Sequence, residues 1–147
     1  MISTQQTDKV SRKTQLSIIA TALVGFSGIL SETSMNVTFT KLMTIFHLPL
    51  SSLQWITTVY LLAVAISMTL SATLQQNVKE RLQFTIAVLL FLLGTVTCII
   101  SAHFGLMIIG RALQGAGTGI AMPLMFNLII ERIPINKIGT YMGIGGL

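Results

Sequence analysis

Four apolar runs, each long enough to cross a lipid bilayer as a helix, dominate the chain, and the short segments between them carry most of its charge. A helix rises ~1.5 Å per residue, so about 20 residues span the ~30 Å hydrocarbon core. The runs are about Gln15 to Val37, Trp55 to Leu74, Phe84 to Ala102 and Gly105 to Ile130, and a fifth begins near Gly139 and reaches Leu147. They are about twice as long as a membrane barrel strand and do not alternate polar with apolar residues, which predicts helices. Lipid offers no partner for backbone N–H and C=O groups, and a helix satisfies them within its own segment. The expected fold is an all-α membrane protein. A polar tail over 1–14 precedes a partial bundle over 15–147, with helices at 15–37, 55–74, 84–102 and 105–130 and the start of another at 139–147. The stretch ending on Gly143-Ile-Gly145-Gly146-Leu147 reads as an interrupted helix, which suggests a fragment of a longer bundle.

Charge patterning sets the orientation. Only 9% of the residues are charged, against roughly a quarter in soluble domains. The net charge of +5 forms no basic patch of the kind that binds nucleic acid, and none is expected as a partner. Lys9, Arg12 and Lys13, then Lys79 and Arg81, then Arg132 and Lys137 fall on one side, and only Lys41 falls on the other. The positive-inside rule places the N-terminus in the cytoplasm and makes this a multi-pass protein of the cytoplasmic membrane. The outer connections would be about Thr38 to Gln54 and a short turn near His103, with Trp55 and Tyr60 near the outer boundary. The tail and first run mimic a secretory leader. No convincing small-residue cleavage site follows, and three more apolar runs do, so the first run is read as a permanent span. Cys98 lies in an apolar run and is expected to pack as a small hydrophobe.

Two ionisable residues fall inside the spans. Glu32 lies about five residues before the outer end of the first, and Arg111 about six residues into the fourth, so both sit ~8–10 Å below the outer surface. A charge within a span marks by default a transport path, a proton relay or a counter-ion. Their common depth allows a Glu32–Arg111 contact, direct or through water. The plainer readings are snorkelling of Arg111 to the headgroups and a helix-end position for Glu32. If the two meet, the carboxyl lies between an apolar setting that favours its neutral form and a cation that favours its charged form. Such a group can exchange a proton for a substrate.

Polar and small residues recur around these charges. Ser17, Thr21, Gly25, Gly28, Glu32 and Asn36 share a face of the first helix, and Arg111, Gln114, Gly115, Thr118 and Met122 share one on the fourth. A weaker stripe, Gln54, Thr57, Ser67, Ser71 and Gln75, marks the second. The third run is apolar nearly all round from Phe84 to Leu93, apart from Thr85, and is expected to face lipid. Small residues such as Gly115 and Gly119 also suit plain helix packing.

No enzyme is indicated. There is no nucleophile–base set and no metal-ligand spacing, and His47 and His103 lie singly in predicted outer loops. The glycines at 115–119 lack the preceding strand and the following Lys-Ser/Thr of a phosphate loop. No cofactor or metal is expected.

The run Leu106-Met-Ile-Ile-Gly-Arg111-Ala-Leu-Gln114-Gly115-Ala-Gly117-Thr118-Gly119-Ile-Ala-Met-Pro123 closely resembles the fourth-helix motif of the major facilitator superfamily. Leu30-Ser-Glu32-Thr33-Ser-Met-Asn36-Val37 resembles the first-helix motif of its fourteen-helix drug:proton antiporters, and Gln54-Trp55-Ile-Thr57-Thr58-Val-Tyr60 resembles their second-helix entry. The likeness is greatest to bacterial lincomycin-resistance-type exporters and covers Gln15 to Leu147. It implies a proton-driven exporter of hydrophobic or cationic drugs. Its partners would be the bilayer, protons, a drug, and the C-terminal helices of the same transporter. Arg111 and Glu32 would take part in proton coupling, and Asn36, Gln114, Gly115, Thr118 and Gly119 would line the cavity. The cytoplasmic loop departs from the family pattern. Aligned through Leu74, the chain shows Ala72, Gln76, Lys79, Glu80 and Arg81 where glycines, an acid and basic residues are usual, and only Arg81 remains of the implied latch. Two other readings stand beside this one. One is a small oligomeric four-helix transporter. The other is a truncated, non-transporting remnant.

Overall fold

The computed structural model describes residues 11–145. The expected tail up to Val10 and the last two residues of the fifth helix lie outside them. Five helices follow one another: α1 (Arg12–Phe46), α2 (Leu50–Asn77), α3 (Glu80–Ile99), α4 (Phe104–Arg132) and α5 (Ile135–Gly145). The first four are long and apolar enough to cross a membrane. No strand is formed among the described residues.

The helices outrun their apolar cores. The connection expected over Thr38 to Gln54 shrinks to residues 47–49, because α1 stays helical to Phe46 and α2 starts at Leu50. Hydropathy marks only the part of a helix that suits lipid, and a helix with its own packing partners continues past that limit. Here the partners are Leu42, Leu53, Ile56 and Met107, a buried cluster flanked by Phe39, Phe46 and Phe104. His47 turns the chain in the left-handed region at φ 51°. The Pro49 carbonyl then accepts the Ser52 and Leu53 amides and opens α2. At the other end, the Gln83 side chain donates to the Val78 carbonyl and braces the link between α2 and α3. Pro134 separates α4 from α5, since it has no N–H to continue the ladder.

Helix α4 is the axis of the bundle. Fourteen of its residues are buried, against five on α1 and three on α3. It is wedged between α2 and α3, and small residues on both sides allow this. A methyl on Gly119 would come within 2.5 Å of the Val64 carbonyl of α2, and one on Gly117 within 2.6 Å of the Ala87 carbonyl of α3. Such close backbone approach is how membrane helices associate without a hydrophobic driving force between them. α4 stays helical past Pro123, although this residue has no N–H to donate to the Gly119 carbonyl.

Layers stack along α4. Met107 belongs to the cluster with Leu42 and Leu53. A polar layer of Arg111, Gln114 and Thr118 follows. Ile120 and Ala121 then pack with Ala87 of α3, and Leu124, Met125, Leu128 and Ile129 close the far end with Ile18. The outward face of α3 carries Leu89, Leu92, Leu93 and Val96, all more than half exposed. That face agrees with a lipid-facing helix.

Candidate functional site

The polar layer is built around Arg111, which is 0% exposed. Burial at this depth removes snorkelling as an explanation of the residue. Its Nη1 donates to Ser31 Oγ of α1 at 2.9 Å and to Gln114 Oε1 at 3.1 Å, one helical turn on. The guanidinium carbon lies 4.4 Å from the centroid of the Tyr60 ring of α2. Gln114 passes the network to α3, where its Nε2 donates to Thr95 Oγ1 at 3.0 Å. The Tyr60 hydroxyl donates to Thr118 Oγ1 at 3.4 Å, and Thr118 donates to the Gln114 carbonyl. Four helices are therefore joined through one polar network.

Two donors of that side chain are left over. No acceptor among the described residues reaches Nε or Nη2 of Arg111. A buried donor without a partner costs about 1–3 kcal/mol, more when charged. An orphan pair on a fully buried arginine is therefore a feature that needs a reason.

Glu32 is not that partner in this conformation. The one ion pair among the described residues joins Arg132 to Glu80. Glu32 is half-buried and lies one residue beyond Ser31 on α1. The expected contact is thus replaced by a serine bond, with the carboxylate close by. Helical spacing from Gly28 reaches residue 31 or 32 equally well, and Ser31 is the one turned to Arg111.

The other candidates sit as follows. Asn36 is exposed on α1. Gln114 and Thr118 are buried in the network around Arg111. Gly115 and Gly119 are buried against the α2 backbone, Gly115 against the Tyr60 carbonyl. Arg81 is exposed at the start of α3, and its neighbour Glu80 holds the ion pair to Arg132, tying α3 to the end of α4. Tyr60 was expected near the outer boundary and is instead 2% exposed inside the bundle. Tyr60, Ser31 and Thr95 are the members of the site that sequence reasoning missed. The available signal was a tyrosine among Val59, Leu61 and Leu62, whose hydroxyl needs a partner when buried.

Gly28 sets the distance between α1 and this layer. A methyl there would lie 2.5 Å from Thr118 Oγ1 and 2.9 Å from the Tyr60 hydroxyl, while one on Gly25 would meet only Met122 at 3.7 Å. Gly28→Ala is expected to push α1 away, break the Ser31–Arg111 bond and destabilise the bundle by about 1–3 kcal/mol, which lowers its thermal midpoint in detergent. Gly25→Ala should unfold with the unsubstituted protein. Equal midpoints for the two variants would contradict this packing.

A cavity of about 650 Å³ lies nearer the start of α1, between α1, α4 and α5. Phe26, Ile29, Met122, Met125 and Phe126 line it, and no charged residue does among the described residues. The Gln15 side chain donates to the Tyr141 hydroxyl at 3.1 Å at one end. The cavity stops on α1 at Ile29, one turn short of Glu32. An apolar space and a charged layer are thus neighbours along one helix.

A bundle of apolar helices around a buried arginine on a glycine-lined fourth helix defines a membrane transporter fold, and comparison with known proteins agrees. A family model described as Major Facilitator Superfamily matches residues 21–147. The chain belongs to that superfamily and is a multi-pass membrane protein. It is 38% identical over 136 residues to the uncharacterized MFS-type transporter YhcA of Bacillus subtilis, covering 92% of this chain and 26% of that protein. It is also 38% identical to the lincomycin resistance protein LmrB of Listeria monocytogenes, over 88% of this chain and 28% of that protein. The lincomycin resistance protein LmrB of Bacillus subtilis is 35% identical over 88% of this chain and 27% of its own length. The chain therefore spans about a quarter of the length of these curated relatives. No solved structure matches.

Proposed function

We propose that this chain forms the first helices of a proton-coupled multidrug exporter of the cytoplasmic membrane, with its N-terminus in the cytoplasm. The observation that carries the reading is the buried Arg111, which has two uncommitted donors and bonds Ser31, the residue before the half-buried Glu32. Three relatives named for lincomycin resistance support the drug-export part. The clustering of basic residues at one end of the bundle supports the orientation.

The chemistry follows from the layer. A protonated Glu32 is neutral and tolerates an apolar drug in the adjoining cavity. An ionised Glu32 needs a cation, and Arg111 is the cation within reach. Loss of the proton draws the carboxylate towards Arg111, and a cationic or bulky ligand competes with that pairing. Proton and drug then exclude each other, which is what exchange requires. The cavity lined by methionine and aromatic side chains suits hydrophobic molecules of varied shape, because Met repacks readily. The chain would work with the remaining helices of a longer transporter, since substrate sites in such proteins lie between repeats near the membrane midplane.

Glu32→Gln tests this reading. The variant should reach the membrane at the normal level and lose the part of efflux that an imposed proton gradient drives. Gradient-driven resistance equal to that of the unsubstituted protein would remove Glu32 from the mechanism.

A further inference from the structure

The two unpaired donors of Arg111 belong together. Nε and Nη2 lie on the same side of the planar guanidinium, and their N–H bonds form the side-on fork that takes a carboxylate through two parallel hydrogen bonds. The third nitrogen, Nη1, is the one already used by Ser31 and Gln114. The contacts to the protein thus occupy one edge of the group and leave the other whole. This division would be lost if the guanidinium rotated in its plane or tipped out of it. Two atoms at Nη1 fix one point. The face needs a second restraint, and Tyr60 is the residue set against it, 4.4 Å from ring centroid to guanidinium carbon.

We propose that Tyr60 is a positioning residue, whose ring holds Arg111 so that its Nε–Nη2 edge stays open as a buried two-pronged seat for a carboxylate. The occupant is the carboxylate of Glu32 in its ionised state, and to that extent the inference rests on the proton-coupled reading above. Several observations make the ring the active part of the tyrosine. Tyr60 is 2% exposed, so its face meets Arg111 in a setting from which water is largely excluded, where a cation–π contact is stronger than at an exposed site. Its hydroxyl reaches Thr118 at 3.4 Å, a long bond that anchors the ring rather than the cation. Its backbone carbonyl touches Gly115, so the close approach of α2 to α4 carries the ring to the guanidinium. The ring neither donates to nor accepts from the fork and leaves it free. An acid in that place would have filled the seat permanently.

The test has a spectroscopic arm and a transport arm. The chain contains four arginines, so the Nε–H signals of the protein labelled with 15N at arginine are few, and Arg111→Lys assigns the one of interest. In micelles, the Arg111 signal should be displaced from the other three by the ring current of Tyr60. Tyr60→Phe should keep the displacement, and Tyr60→Leu should abolish it. In cells expressing the native gene product, Tyr60→Phe should retain most efflux. Tyr60→Leu should lower the maximal rate about tenfold with little change in the drug concentration at half-rate, and should cost nothing further in an Arg111→Lys background. A Tyr60→Leu loss of the same size in both backgrounds would reduce Tyr60 to packing and overturn the proposal. Should Tyr60→Leu fail to accumulate, Tyr60→Phe decides alone, because loss of the displaced signal with the ring still present would also overturn it. Absence of gradient-driven efflux in the unsubstituted protein would remove the proton-coupled reading, while the spectroscopic arm would still judge the ring.

Discussion

Arg111→Lys is expected to lower gradient-driven efflux at least ~30-fold, equivalent to about 2 kcal/mol, while the variant still inserts and accumulates. Charge is conserved in this change, so the loss isolates geometry. Lysine offers a compact ammonium with no planar face to lie on Tyr60 and no two-pronged edge. It can keep one or two of the bonds to Ser31 and Gln114, which is why folding should survive. A carboxylate arriving from Glu32 would find a point charge where the native protein presents a fork. Efflux measured over a range of imposed gradients separates this outcome from a general defect. Near-normal rates would leave Arg111 as a charge that holds helices together and nothing more.

Gly115→Val is expected to destabilise the bundle by about 1–3 kcal/mol and to lower the thermal midpoint in detergent. Even the first added carbon would strike the Tyr60 carbonyl and crowd the Ala63 side chain at 3.0 Å. The obstacle is helix backbone, which cannot step aside as the end of a flexible side chain would. α2 must therefore move off α4, and Tyr60 moves with it, so a loss of transport should accompany the loss of stability. Gly105 lies in the first turn of the same helix, and a methyl there meets nothing within 4 Å. Gly105→Ala is the control and should unfold with the unsubstituted protein. Equal midpoints for the two variants would show that the α2–α4 approach is less tight than described.

The fold was legible because lipid imposes simple demands. Length and apolar composition located the four spans, each of which carries exposed large apolar side chains. Helix ends were not legible. α1 runs on to Phe46 because Leu42 finds buried neighbours in Leu53 and Ile56, a tertiary fact that hydropathy cannot report. Arg111 announced itself as a charge in an apolar run. Its partners did not. Ser31 and Glu32 are adjacent on α1, and only the rotation of the helix, set by Gly28 against Thr118, decides which one faces the guanidinium. Tyr60 looked like an interfacial aromatic because nothing in α2 alone reveals that Gly115 on another helix lets it approach so closely. In the sequence, the glycines of α4 suit a cavity wall and close packing equally well. In the bundle Gly115 and Gly119 lie against α2, and Gly117 lies against α3.

The central claim is that drug and proton compete through Glu32 and Arg111, and proton movement tests it most directly. The native gene product would be reconstituted into liposomes holding a pH-sensitive dye and an imposed proton gradient. Lincomycin or a lipophilic cation would then be added. The account predicts drug-dependent proton flux in the unsubstituted protein and none above the background of empty liposomes for Glu32→Gln. Drug movement without accompanying protons, or equal proton flux in the two proteins, would contradict it.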